Sequence, residues 1–361
     1  MKKVFIFVLV LFTAIPSFAC TSVIISGKMS ASGRPVMYKH RDTGQLDNYI
    51  GWYKGEKNSF IGLVNSICNG GEVWTGTNSS GFSIMNTATY DLKDDKVPES
   101  EMDREGIVMY RALEICSTLK DFENLLDTLK RPMGVEANFG VIDAFGGAAY
   151  YEVNNHKWIK YDVNDPNIAP KGYLVVTNFT QSGRPQDRKG VDRYELAYGI
   201  MSSLDGQEEK DIFCDHTFLL NNISRKGAPI LRNITSATIA IEGVAAGSDP
   251  SKTVMWTTCG YPTAAICVPL MVLDDNYLPS YLTAGENNHS QMCNKAMEIK
   301  KTGKNILGII LPIEKNIDDC FNKIYTNWKE GIISDSEFKA CYKDLTVKIF
   351  ENFTGKLANF Y

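Results

Sequence analysis

A cysteine at residue 20 constrains this chain more than any other residue, because it stands where an export signal would end and a strand would begin. Lys2 and Lys3 make a basic start, Val4 to Ile15 is an apolar run too short to span a bilayer comfortably, and Pro16 breaks it. Ser17-Phe18-Ala19 then places small residues at the two positions that a signal peptidase reads. A cut after Ala19 would leave one Cα carrying both a thiol and a free α-amine. A thiol is a modest nucleophile near pH 7 unless a base takes its proton. An α-amine, with an unperturbed pKa of ~7.7–8.0, can be that base. Acyl transfer at Cys20 would then need no histidine, and the rest of the chain reads as a scaffold that holds such a terminus.

Two other readings compete. Residues 1–19 could stay as a membrane anchor, or Cys20 could be the lipidated cysteine of a lipoprotein. Lipoprotein signals usually carry Leu three residues before that cysteine, and Ser17 stands there instead. An N-acylated Cys20 would have no amine left to act as a base, so lipidation and catalysis exclude each other. No later stretch reaches ~18 uninterrupted apolar residues. The expectation is a signal peptide over 1–19 and an exported protein, periplasmic or secreted, with no stable membrane insertion once the signal is gone.

The chain has 361 residues and a net charge of −4, which loss of Lys2 and Lys3 would take to −6. Neither value, nor any basic cluster, points to nucleic acid. Nine cysteines occur, none in a C-x-x-C or Cys/His ligand spacing, so a zinc site is not expected. Cys267 reads as a buried small hydrophobe, and Cys320 and Cys341 fall on successive predicted helices with their pairing open. Only four histidines are present (His40, His156, His216 and His289), and none falls in a cysteine-protease motif.

Thr21 to Gly27 is β-branched and reads as a strand. Lys28 to Arg34 turns, and Pro35 to His40 returns as a second strand. That hairpin would bring Lys39, His40, Arg41 and Asp42 back to Cys20. Further strands are expected at 60–67, 82–86, 139–144, 148–153, 158–161, 173–177, 238–241, 253–256 and 265–270. Gly76 to Gly81 reads as a turn. Helical spacing appears around 107–114 and 122–129, from about 192 to 203, over 209–224, and in a helical tail from about 311 to 361. Ser334 to Glu337 forms a capping-box pattern. Strands and helices come in groups rather than strict alternation, and there is no repeat or linker, which argues for an α+β fold in layers over 20–361.

Several segments, in order along the whole chain, carry a resemblance. Cys20–Lys28 (CTSVIISGK) resembles the opening of N-terminal nucleophile (Ntn) cysteine hydrolases. These include choloylglycine and penicillin-V hydrolases and the acyl-coenzyme A:6-aminopenicillanic acid acyltransferase-like group. Gly33–Gly44, Gly81–Thr87, Asn138–Glu152, Met255–Pro269, Val176–Phe179 and Asp192–Tyr194 are similar to that last group. The resemblance implies a four-layer αββα sandwich, with Cys20 at the end of a central strand in a cleft between the sheets.

It also implies roles for particular residues. Asp42 would accept hydrogen bonds from the freed amine. Lys39 stands where the bile-salt branch has Arg, three residues before that Asp, so either Lys39 or Arg41 would supply positive charge near the thiol. Asn86 and Asn178 would form the oxyanion hole, and Arg193 would support the nucleophile or substrate. The implied activity is hydrolysis or acyl transfer at a linear amide (an N-acyl amide, a penicillin-type side chain or a short peptide) through a Cys20 thioester. No cofactor or metal is implied, the partner is a small-molecule amide, and homo-oligomerisation stays open. A bile-salt hydrolase-like enzyme and a dipeptidase would use the same machinery. A lipid-anchored binding protein would use none of it.

Overall fold

The computed structural model describes residues 19–30, 32–68, 70–93, 96–205, 215–273 and 277–358. Almost all of the expected signal, and residues 209–214 of the expected helix over 209–224, lie outside them. The chain enters on β1 (Ala19–Ile25) and turns back on β2 (Val36–Asp42). A meander follows through β3 (Asn48–Lys54), β4 (Ser59–Asn65), β5 (Thr75–Asn78) and β6 (Ser83–Ala88). After α1 (Glu105–Ile115) and α2 (Leu119–Thr128), three more strands continue it: β7 (Ala137–Ile142), β8 (Ala148–Val153) and β9 (Trp158–Asp162). The chain then crosses back to β1 with β10 (Tyr173–Val176) and α3 (Val191–Ser202). The short α4 (His216–Leu219) runs into a wide turn at Leu220–Ser224. Then come β11 (Thr235–Glu242), β12 (Val254–Cys259), β13 (Val268–Leu270), α5 (Gln291–Thr302), α6 (Leu307–Lys329) and α7 (Asp335–Ala358).

Two wholly antiparallel sheets result. One has six strands in the order β10-β1-β2-β11-β12-β13, and the other is the seven-stranded meander β3 to β9. Their inner faces pack on one another: β1 lies against β6 and β8, and β2 against β7. Tyr150 on β8 donates its hydroxyl to Ser22 Oγ on β1 at 2.9 Å across that seam. The outer face of the meander takes α1 and α2, where Phe122 meets Phe139 and Tyr151 edge-on. On the outer face of the other sheet, α3 covers β1 and β10, α4 covers β11, and α6 covers β13. Phe321 of α6 packs edge-on against Trp256 of β12. The order helix, sheet, sheet, helix is the αββα arrangement expected from the sequence.

The local readings largely hold. The Ser334 and Glu337 capping box forms, with Glu337 Oε2 accepting from Ser334 N and Ser334 Oγ from Glu337 N. The tail is helical, but its first helix starts at Leu307 and carries Pro312 within its first two turns. The expected turn at Gly76–Gly81 is corrected, because its first half is strand β5. Strand β3 and helix α5 are additions. Cys320 and Cys341 lie on α6 and α7 with exposed, free thiols.

Candidate active site

Strand β1 is paired on both sides, with β10 and with β2, and the ladder to β2 sets Cys20 opposite Arg41 and Ala19 opposite Asp42. The hairpin therefore delivers the residues the sequence promised. Strand alternation sends Cys20, Lys39 and Arg41 to the inner face. All three line a cavity of ≈ 50 Å³ between the sheets, with Asp42, Trp74, Asn86 and Glu105. Cys20 is 6 % exposed and Ala19 2 %. The space suits water rather than a substrate while the chain continues before Cys20.

Two side chains fix the backbone of Cys20. Its N–H donates to Asn178 Oδ1 at 2.9 Å. Arg193 donates from Nη1 to the Cys20 carbonyl and to Thr21 Oγ1, and from Nη2 to Asn178 Oδ1 at 2.7 Å. Asn178 Nδ2 donates to Ala88 O at 2.6 Å. Its carboxamide oxygen faces the Cys20 nitrogen, and its NH2 is turned to Ala88 O. Arg193 sits in the first turn of α3, an unfavourable place for a cation. The conflict is resolved by bonds to three oxygens. It also requires Gly190: that residue is left-handed at φ 75°, and a Cβ on it would lie 2.1 Å from Arg193 Nη2.

Lys39 and Arg41 both bring charge to the cavity. Lys39 Nζ donates to Trp74 O at 2.5 Å and to Asn86 Oδ1 at 2.8 Å. Because a lysine can only donate, Asn86 Oδ1 is held by it and the Asn86 NH2 is the free end of that amide. Arg41 spreads over Asn48 Oδ1, Asn65 Oδ1 and Ser236 Oγ, and lies over the Trp74 ring with its Cζ 5.2 Å from the centroid. Its bonds all go to neutral oxygens. Burial pulls Lys39 down to about 7, opposed by Cys20 and aided by Arg41. Burial likewise pulls Arg41 down to about 10 and lowers Arg193, and Cys20 opposes both shifts.

Asp42 is oriented from the other face. Its Oδ1 accepts from Thr235 Oγ1 at 2.6 Å and meets His40 Nε2 at 3.1 Å. His40 is held in turn by Ser224 Oγ at 2.6 Å. Asp42 Oδ2 is buried, has no hydrogen bond among the described residues, and lies 3.6 Å from Arg232 Nη1. His40 thus holds the Asp42 carboxylate in place.

Solved structures of Ntn hydrolases resemble this one. An N-acylethanolamine-hydrolyzing acid amidase ortholog from Caenorhabditis elegans matches 70% of this chain and 100% of its own, at 17% identity and TM-score 0.49. A mutant conjugated bile acid hydrolase from Clostridium perfringens matches 71% and 93%, at 11% identity and TM-score 0.48. A penicillin V acylase from Agrobacterium tumefaciens matches 70% and 86%, at 12% identity and TM-score 0.43. No protein-family model matches the chain, and no curated protein matches its sequence.

Trp74, Ala88, Asp103 and Glu105 also line the cavity and were not singled out in the sequence. Glu105, first in α1, is buried, and its Oε1 accepts from Glu136 N at 2.8 Å. Burial pushes it up to about 8 against that bond. An acid at the start of a helix is ordinary in sequence, and no signal distinguished this one. A second, larger cavity of ≈ 450 Å³ lies beyond Asn138, lined by Tyr173, Tyr194, Tyr198 and Phe179 among others, and does not include Cys20.

Proposed function

We propose that the mature chain begins at Cys20 and cleaves a linear amide through a Cys20 thioester, passing the acyl group to water or to an acceptor amine. The observation that carries this reading is the cradle around the Cys20 nitrogen. A strand residue whose N–H is held by a buried asparagine, itself gripped by a buried arginine, is arranged as a terminus would need to be. Once the bond before Cys20 is cut, Asn178 Oδ1 and Asp42 Oδ2, which accepts no other hydrogen bond among the described residues, are the two acceptors for the amine.

The steps follow from the positions of the groups. The amine takes the Cys20 thiol proton, and the thiolate adds to the amide carbonyl. The Asn86 NH2, aimed by Lys39, stabilises the oxyanion together with the Lys39 ammonium. The amine returns the proton to the leaving nitrogen as the tetrahedral intermediate collapses to a thioester. Water then adds to the thioester, with the amine as base, and the thiol is released. Preorganised donors of this kind are commonly the largest contribution to acyl transfer. An N-acyl amide, a penicillin-type side chain or a short peptide fits this chemistry, and pocket shape decides among them. Export, with removal of residues 1–19, belongs to the same proposal.

Mass spectrometry of the purified mature protein tests it. A free, unmodified Cys20 at the N-terminus is expected. A lipidated or N-acylated Cys20, or a start elsewhere, overturns the reading and favours an anchored binding protein. Cys20→Ser should also abolish labelling by a thiol-reactive amide-hydrolase probe.

A further inference from the structure

Two cysteines outside the site face each other. Cys259 ends β12, and Cys293 lies in the first turn of α5, whose N-cap is Ser290. Both are buried free thiols that share one neighbour: Ser290 Oγ lies 3.7 Å from Cys259 Sγ and accepts from Cys293 N at 3.1 Å. The backbones are also close. A Cβ placed on Gly260 would come 3.6 Å from Cys293 Cα and 2.6 Å from Ala296 Cβ, so the turn after Cys259 lies directly on the helix. Cys259 Sγ is 3.4 Å from Asn48 O and 3.7 Å from Ser290 Oγ, and Cys293 Sγ is 3.3 Å from Leu46 O. Among the described residues, no His/Cys/Asp/Glu group can hold a metal ion, so the pair is not half of a metal site.

We infer that Cys259 and Cys293 form a disulfide when the chain folds in an oxidising compartment, and that this bond staples α5 to the sheet behind the Cys20 site.

The chemistry is thiol–disulfide exchange with a disulfide-bearing oxidant, such as a thiol oxidoreductase or oxidised glutathione. The Cys293 thiolate attacks one sulfur of the oxidant and expels a thiolate, leaving a mixed disulfide. The Cys259 thiolate then attacks the Cys293 sulfur and expels the second. Two electrons pass to the oxidant, and the two thiol protons end on its two thiols. Both sulfurs are buried in the finished fold, so the exchange belongs to folding rather than to the native state.

The staple lies one residue from the catalytic cavity. Asn48 O receives the Cys259 thiol, and Asn48 Oδ1 holds Arg41 Nη1 at 2.8 Å. Oxidation removes the thiol donor, but Ser290 Oγ still donates to Asn48 O at 2.9 Å, so the Arg41 support survives. The disulfide is thus compatible with an intact site.

The test uses the full chain refolded in a mixed reduced and oxidised glutathione buffer, then denatured, alkylated without reductant and mapped by peptide mass spectrometry. The expected result is a Cys259–Cys293 cross-linked peptide, two hydrogens lighter than the pair of free peptides and separated by reductant, with Cys320 and Cys341 alkylated. Reductant should also lower the melting temperature by about 5 °C. In Cys259→Ser, the cross-link disappears and Cys293 becomes alkylated. Alkylation of both cysteines in the wild type, or a bond from either one to a third cysteine, overturns the inference.

Discussion

Substituting Gly190 by alanine tests whether the Arg193 guanidinium is part of the machinery. Gly190 holds φ 75°, where an L side chain costs ~1–2 kcal/mol. Reduced freedom of the unfolded chain returns ~0.4–1 kcal/mol, so the net loss of stability is about 1 kcal/mol. The new Cβ would sit 2.1 Å from Arg193 Nη2. The guanidinium, as the free end of a flexible side chain, has to yield, and its bonds to the Cys20 carbonyl and Asn178 Oδ1 go with it. Losing one charge-assisted bond of ~1.5–3 kcal/mol from the transition state corresponds to about a 10- to 100-fold fall in kcat/KM. Turnover of penicillin V and a panel of N-acyl amides, beside a urea melt, reads both quantities. Gly190→Asn separates them, because asparagine tolerates the left-handed backbone and caps a helix yet carries the same Cβ. It should melt near the wild type and remain slow. If Gly190→Asn recovers full turnover, or Gly190→Ala is less stable but no slower, the guanidinium's position is not what matters.

Other expectations concern separate parts of the structure. Asn86→Ala should lower kcat by ~10²–10³ with little change in KM; a change confined to KM would remove Asn86 from the oxyanion site. Glu105 titrates at about 8 in the fold and near 4.5 when unfolded, so its contribution is complete below pH 4.5 and is lost as pH rises to about 8. Glu105→Gln should flatten that slope in urea melts between pH 5 and 8.5, and an unchanged slope refutes the assignment. His216 is stacked on Trp256 at 3.5 Å between Glu242 and Asp318, which hold it up at about 10 against burial. Its contribution is full below pH 6.5 and fades toward pH 10. His216→Gln should cost about 3 kcal/mol at pH 6 and much less at pH 10, as measured by denaturant midpoints.

The strands around Cys20 were legible because their chemistry is local. CTSVIISG is a β-branched run, PVMYKHRD returns after a turn, and burial of both faces only reinforces the pairing. Strand β5 was not legible. Its Gly76 and Asn78 look like turn residues, yet a Cβ at 76 would lie 2.4 Å from Ile61 O and 2.8 Å from Leu113 Cδ1. That glycine answers to a neighbouring strand and to α1, which only the tertiary fold brings there. At the site, the set of residues was readable and their directions were not. Nothing in VVTNF tells which end of the Asn178 amide turns toward Cys20; Arg193 and Ala88 O decide it from 15 and 90 residues away. Glu105 likewise becomes unusual only through its burial.

The strand pairing of Ala19 and Cys20 also sets an order of events. The bond between these residues lies inside a completed ladder, with Asp42 and Arg41 opposite and less than a tenth of either residue exposed. A peptidase needs several residues drawn out and accessible around the bond it cuts. Any enzyme that frees Cys20 must therefore act while β1 is still outside the sheet. Under the proposed maturation, a chain that folds first hides the bond before Cys20, and cleavage has to outrun strand closure.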